Sequence, residues 1–254
     1  MNSSIRTETL YDGAVERIVL NSPKQNILNT DMVSAIRSHL LGLGNRPALR
    51  LVLFEGEGHH FSYGASVEEH LPGQVERMLP TFHGLFRTLE GLGIPTAALV
   101  RGQCLGGGLE LAMWCGTVFA ESGARMGVPE VKLAVFPPVA AMGLHWRVGG
   151  SRASRLICTG AVIDGATAYQ WGLVDYVEAD LERAWRAWFE ESYAGLSAFA
   201  LRAAWRASRR PLATWLYQEL PALEASYLGE LMSHVDPREG LSAFVERRSP
   251  TWVA

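Results

Sequence analysis

The chain has few of the features that staple, span or attract. Its three cysteines, Cys104, Cys115 and Cys158, are odd in number, widely spaced and without a Cys-x-x-Cys pair. That argues against a disulfide framework or a zinc site and suits a reducing cytosol. No apolar stretch of bilayer length is free of charge, since the run around Leu99 is interrupted by Arg101. The opening Met1-Asn-Ser-Ser-Ile-Arg-Thr-Glu lacks the apolar run of a signal peptide. A formal charge of -3 and a pI near 6.2 leave no basic footprint for nucleic acid. The Arg-rich piece Arg206-Ala-Ser-Arg-Arg210 reads as the solvated face of a helix end. His59-His60 has no carboxylate or third ligand at metal spacing and reads as a solvated loop. The expectations are a cytoplasmic protein with no metal site, no nucleic-acid partner and no membrane partner.

What is plentiful is apolar surface, 48% of 254 residues, enough for a sizeable core in one large or two modest domains. Repeats, low-complexity tracts and long linkers are absent. Two periodicities mix in the first two thirds. Val15 to Leu20 reads as a strand. Thr30-Asp31 can cap a helix with Met32, Ile36, Leu40 and Leu43 on one face. Leu49 to Phe54 is a β-like run. Val75 to Leu92 is helical in pattern, with a break or kink expected at Pro80, and ends at Gly93. Thr96 to Val100 reads as a buried strand, Leu109 to Cys115 as an apolar helix, and Thr117 to Ala120 as a short strand. The last third is helical in pattern over Leu181 to Leu196, Ala198 to Arg209 and Leu212 to His234, with Pro221 expected to kink or divide the last piece. The change of character places an α/β core over 1–195 and a helical region over 196–254.

Two glycine-containing turns follow strands: Phe61-Ser-Tyr-Gly-Ala-Ser66 and Arg101-Gly-Gln-Cys-Leu-Gly-Gly-Gly-Leu-Glu110. Consecutive glycines at a helix start let backbone approach a ligand closely. Free N–H groups and the positive end of the helix dipole there favour developing negative charge. The second turn has neither the Lys-Ser/Thr of a P-loop nor dinucleotide spacing. Glu110 sits in an otherwise apolar helix start, where a carboxylate is costly unless paired, hydrated or used. A second acid, Glu130, lies in Met126-Gly-Val-Pro-Glu-Val-Lys132 before another apolar run. Two acids beside one water can divide the roles of proton acceptor and proton donor. Met113 and Trp114 read as core.

These segments, with Leu156-Ile-Cys-Thr-Gly160, Gly172-Leu-Val174 and Glu239 to Arg248, resemble in order and spacing the crotonase (enoyl-CoA hydratase/isomerase) superfamily nearly end to end. The resemblance implies an α/β fold, a crotonase-type ββα spiral core with a C-terminal helical region for oligomerisation, and a homotrimer or homohexamer. It implies an acyl-CoA thioester substrate whose oxygen is held by the backbone N–H groups of Ala65 and Gly107, with Glu110 and Glu130 as catalytic carboxylates. It implies CoA contacts at Lys24, Phe244 and Arg247, and no cofactor beyond the coenzyme A of the substrate. Tyr63, His70, Phe136 and Pro137 flank the site and are expected in the acyl pocket. Retention of both acids favours adding or removing water. Two departures bear on the acyl group: Ser66 replaces the usual aspartate, and Phe136-Pro-Pro-Val-Ala-Ala-Met142 replaces a glycine-rich turn. Both, with Ser249-Pro-Thr-Trp252, resemble the branch acting on cyclohexa-1,5-diene-1-carbonyl-CoA. Dehydration of a branched hydroxyacyl thioester, on CoA or a carrier protein, and noncatalytic binding on this scaffold are the alternatives.

Overall fold

Apolar runs without alternation, such as the one ending at Phe54, form strands buried on both faces. The structure, a computed structural model, describes residues 4–23 and 25–253; Lys24 therefore lies outside the described residues. Strands β1 (Ile5–Leu10), β2 (Val15–Leu20), β3 (Leu51–Gly56), β4 (Thr96–Val100), β6 (Thr117–Ala120) and β9 (Tyr176–Val177) form one sheet in that order. Its first pair is antiparallel and the others are parallel. A second sheet holds β5 (Gln103–Leu105), β7 (Arg125–Gly127) and β8 (Val162–Asp164). The pleat sends Leu51, Leu53, Ala97 and Leu99 to an outer cluster closed by Leu181, Trp185 and Phe189 of α7 (Leu181–Ser192). Val52, Phe54, Ala98 and Val100 face the main core.

Two successive turns of the spiral take one strand from each sheet and then a helix. β4 and β5 lead to α3 (Gly107–Trp114); β6 and β7 lead, through a short 3-10 turn at Pro129–Leu133, to α4 (Pro138–Val148). The chain continues through α5 (Gly150–Thr159), β8 and α6 (Gly165–Trp171) to β9. Earlier, α1 (Thr30–Gly42) packs on α2 (Val75–Leu92). The expected face of α1 is buried, but its cap is Asn29, whose Oδ1 accepts from the Met32 N–H at 2.9 Å, rather than Thr30 or Asp31. α2 runs unbroken through Pro80, whose neighbours Leu79 and Phe82 are buried.

The tail corrects two expectations. α8 (Ala198–Gly229) is one helix of 32 residues through both Pro211 and Pro221. Each internal proline costs about 3 kcal/mol. Burial of Leu212, Leu216, Leu220 and Tyr227 along one stripe, at roughly 1.5–3 kcal/mol per large apolar side chain, outweighs that when the stripe packs on α2 and α4. Arg209 is not on a solvated face. It is buried, donates to Glu90 from Nε at 3.0 Å and to the Trp114 carbonyl at 2.9 Å, and lies over the Trp114 and Trp205 rings. α9 (Val235–Val245) packs on the Pro129–Leu133 turn. It can come so close because a Cβ on Gly240 would lie 2.4 Å from the Leu133 oxygen. Among the described residues no helix is long and apolar enough to cross a membrane.

Candidate active site

The two glycine turns lie side by side. Ser62 donates its N–H to the Gln103 carbonyl and accepts from Leu105 N, both at 3.0 Å, so the first turn runs along β5. The Ser62 hydroxyl donates to the Asn26 carbonyl and accepts from Gly64 N. Gly64 has φ +105, and a Cβ there would lie 2.8 Å from the Leu105 oxygen. Only glycine suits that position, and it delivers Ala65 to the start of α3. A Cβ on Gly107 would come within 3.2 Å of Ala65 N. Gly107 is the first residue of α3, where helix geometry leaves an N–H without an internal acceptor. Neither the Ala65 N–H nor the Gly107 N–H is taken up by another described residue.

Gly106 joins the two acid-bearing segments. Its N–H donates to the Gly127 carbonyl at 2.9 Å and its carbonyl accepts from Glu110 N at 3.0 Å. Its φ is +51, and a Cβ would sit 2.6 Å from Glu130 Oε1. Glu110, 3% exposed, points across to α4 and accepts from Ala140 N at 2.8 Å through Oε1. α4 begins at Pro137-Pro138 and has no side-chain cap of its own, so Glu110 supplies one from α3. Burial pushes the Glu110 carboxyl up to about 7 against the pull of the Ala140 and Val139 N–H groups. Burial, then the Glu110 charge, pushes Glu130 up to about 8. Glu130 Oε2 is closed off without a hydrogen-bond partner among the described residues. Near neutral pH the pair therefore holds about one proton. The helix N-terminus favours the charge on Glu110 and the bare Oε2 favours the proton on Glu130.

Both acids, Ala65, Tyr63, His70, Phe136 and Pro137 line one cavity of about 150 Å³. All four acyl-pocket expectations thus converge on it. His70 Nδ1–H donates to the Ser66 carbonyl at 2.7 Å, and burial lowers its pKa, so the ring is neutral. Tyr63 packs edge-on to His60 at 5.1 Å. His60 is a backbone anchor rather than a solvated residue: its Nδ1 accepts from Gln103 N at 3.1 Å. Phe244, 56% exposed, reaches the same cavity from α9. Arg247 lies exposed just past α9 and does not line it.

Sequence reasoning missed Tyr227 and Leu241, which enter the cavity from α8 and α9. The spacing Leu212, Leu216, Leu220, Tyr227 could have put Tyr227 on a buried stripe, but not beside Glu130. Phe82 of α2 was missed as well; it closes over Gly107, where a Cβ would meet its Cζ at 3.0 Å.

The enoyl-CoA hydratase/isomerase family model matches residues 11–254. The chain is 45% identical over 241 residues to a cyclohexa-1,5-dienecarbonyl-CoA hydratase of Thauera aromatica, covering 95% of this chain and 93% of that one. It is 31% identical to a 2,3-dehydroadipyl-CoA hydratase of Escherichia coli (strain K12), with 92% of each covered. A crystal structure of an enoyl-CoA hydratase from Mycobacterium avium superposes with a TM-score of 0.86 at 26% identity over 100% of both chains. This chain, with its ββα spiral and paired acids, belongs to the enoyl-CoA hydratase/isomerase family.

Proposed function

We propose that the protein is a hydro-lyase that adds water to a conjugated dienoyl-CoA thioester, with cyclohexa-1,5-diene-1-carbonyl-CoA as substrate. The observation that carries this reading is the buried Glu110–Glu130 pair, both carboxyls raised by burial so that the pair holds about one proton near neutral pH, lining the same cavity as Ala65. The substrate follows the relative named for that thioester.

The thioester oxygen sits between the N–H groups of Ala65 and Gly107, at the start of α3, where enolate charge is stabilised. Glu110, ionised, takes a proton from water as the oxygen bonds to the ring carbon β to the carbonyl. Electrons move through the ring to the thioester oxygen. Glu130 then delivers its proton to the γ-carbon at the other end of the diene. The remaining double bond stays conjugated with the carbonyl, giving a hydroxycyclohexenyl-CoA. One water has been added, and the proton of the pair has moved from Glu130 to Glu110; exchange with solvent restores it. Activity needs no cofactor beyond the coenzyme A of the substrate, because the backbone pair does the work of an electrophile.

Phe136 and Pro137 make a stiff apolar wall beside the acids, suited to the face of a flat ring. The expected kcat/KM for cyclohexa-1,5-diene-1-carbonyl-CoA exceeds that for crotonyl-CoA, since selectivity reflects differential transition-state binding. An assay of both thioesters tests this; a clear preference for crotonyl-CoA would remove the substrate and leave the chemistry.

Phe244 at the cavity and Arg247 beyond it are the proposed CoA contacts, with Lys24 a third. The assembly is proposed to be a homotrimer or homohexamer, supported by exposed aromatic side chains, including Phe199 of α8 at 81% exposure and the edge-on pair of Trp146 from α4 with Trp215 from α8. Light scattering should give a multiple of the chain mass; a stable monomer at micromolar concentration would refute the assembly. The three free thiols support a reducing, cytoplasmic setting, which cell fractionation tests.

A further inference from the structure

Tyr227 is 1% exposed, yet its hydroxyl has no hydrogen-bond partner among the described residues. A buried hydroxyl left unbonded is destabilising, and native structures rarely keep one without a use. Its ring stands edge-on to Phe136 at 5.2 Å, a contact a phenylalanine would make equally well. Packing therefore accounts for the ring and not for the oxygen. A second polar atom in the same cavity is in the same condition: Glu130 Oε2 is also buried and unbonded. Both side chains line the same cavity, and a small polar ligand held there is what would satisfy the two orphaned atoms. Burial, then the charges of Glu130 and Glu110, holds the Tyr227 phenol well above its usual pKa. The group stays a neutral O–H donor throughout the working range and lies within electrostatic reach of both acids.

We propose that Tyr227 is a third catalytic side chain of this site, its O–H donating a hydrogen bond to the oxygen of the water that adds and, in reverse, of the hydroxyl that leaves. The proposal rests on the carboxylate reading above and deepens it. Glu110 takes the proton of that water, Glu130 gives one to carbon, and Tyr227 holds the oxygen so that one lone pair faces the β-carbon. No proton leaves Tyr227 in either direction. In dehydration the same donor stabilises the departing oxygen as its bond to carbon breaks.

The test is Tyr227→Phe in the full-length enzyme. With the ring contact kept and an unsatisfied hydroxyl removed, the melting temperature should be unchanged or higher. kcat should fall roughly 10- to 100-fold, the value of one hydrogen bond to a developing charge, with KM for the dienoyl thioester little changed. A binding measurement then separates this role from packing. In a Glu110→Gln background, where turnover is slow enough to read binding first, Tyr227→Phe should weaken binding of the hydroxycyclohexenyl-CoA product about 10-fold and leave binding of cyclohexa-1,5-diene-1-carbonyl-CoA, which has no hydroxyl, unaltered. Wild-type kcat in Tyr227→Phe, or equal weakening of both thioesters, would overturn the proposal. Wild-type turnover in Glu110→Gln and Glu130→Gln would instead bring down the carboxylate reading, whatever Tyr227→Phe does.

Discussion

Glu110→Gln and Glu130→Gln should each lower turnover by about 10²–10⁴-fold, the usual range for loss of a general acid or base, while the fold survives. Gln keeps a carbonyl that can accept from Ala140 N in place of Glu110 Oε1, so α4 retains its cap. The stability change has a defined sign. Burial raises both carboxyls above the ordinary value of 4.5, to about 7 and about 8. The folded state therefore binds more protons than the unfolded chain between those limits. The stability linked to that binding is fully present below about 4.5 and is lost as pH climbs through 7 and 8. Each Gln variant should lose part of this pH dependence and gain stability relative to wild type on the alkaline side. Thermal melts from acid to alkaline pH check this, alongside the rates. In the wild type, kcat/KM should trace a bell whose limbs belong to the pair. Its maximum should lie where one proton is shared, and activity should fall on the alkaline limb as that proton is lost. Near-wild-type rates in both variants would end the assignment.

Gly106→Ala should cost turnover on the order of 10²-fold, a loss typical of displacing a catalytic group by about an ångström. Two effects coincide at Gly106. Its φ of +51 is a conformation that a side chain strains, at about 1–3 kcal/mol, and a Cβ would lie 2.6 Å from Glu130 Oε1. Movement away from that clash disturbs both acids, because Gly106 also bonds Gly127 and Glu110 through its backbone. A lower melting temperature should accompany the loss. Gly123→Ala, where a Cβ meets nothing within 4 Å, should leave rate and melting temperature unchanged. Gly106→Ala with wild-type kcat would show that the acid pair does not depend on this backbone approach.

The acids and the second glycine turn carry local marks, an acid among apolar neighbours and a glycine run at a helix start, but their joint role and the Phe136-Pro137 wall were legible only through the order and spacing that resemble the family. The strands β2, β3, β4 and β6 were legible from local pattern. The illegible features depend on contacts distant in sequence. Tyr227 enters the site only because a stripe of leucines seats α8 on α2 and α4. Continuity of α8 through Pro211 and Pro221 is a tertiary override of a local breaker. Arg209 looked solvated until Glu90 and the Trp114 carbonyl, far earlier in the chain, proved to surround it. The pairing of Glu110 with the first N–H groups of α4 was likewise hidden, since nothing local marks a helix start that borrows its cap from another helix.

The most direct measurement is the mass of the product formed from cyclohexa-1,5-diene-1-carbonyl-CoA by the wild-type enzyme in water enriched in oxygen-18. The expected product carries one added water with a single labelled oxygen in a ring hydroxyl, and Glu130→Gln forms it far more slowly. A product of unchanged mass with a shifted double bond, or no product at all while crotonyl-CoA is hydrated, would contradict the account.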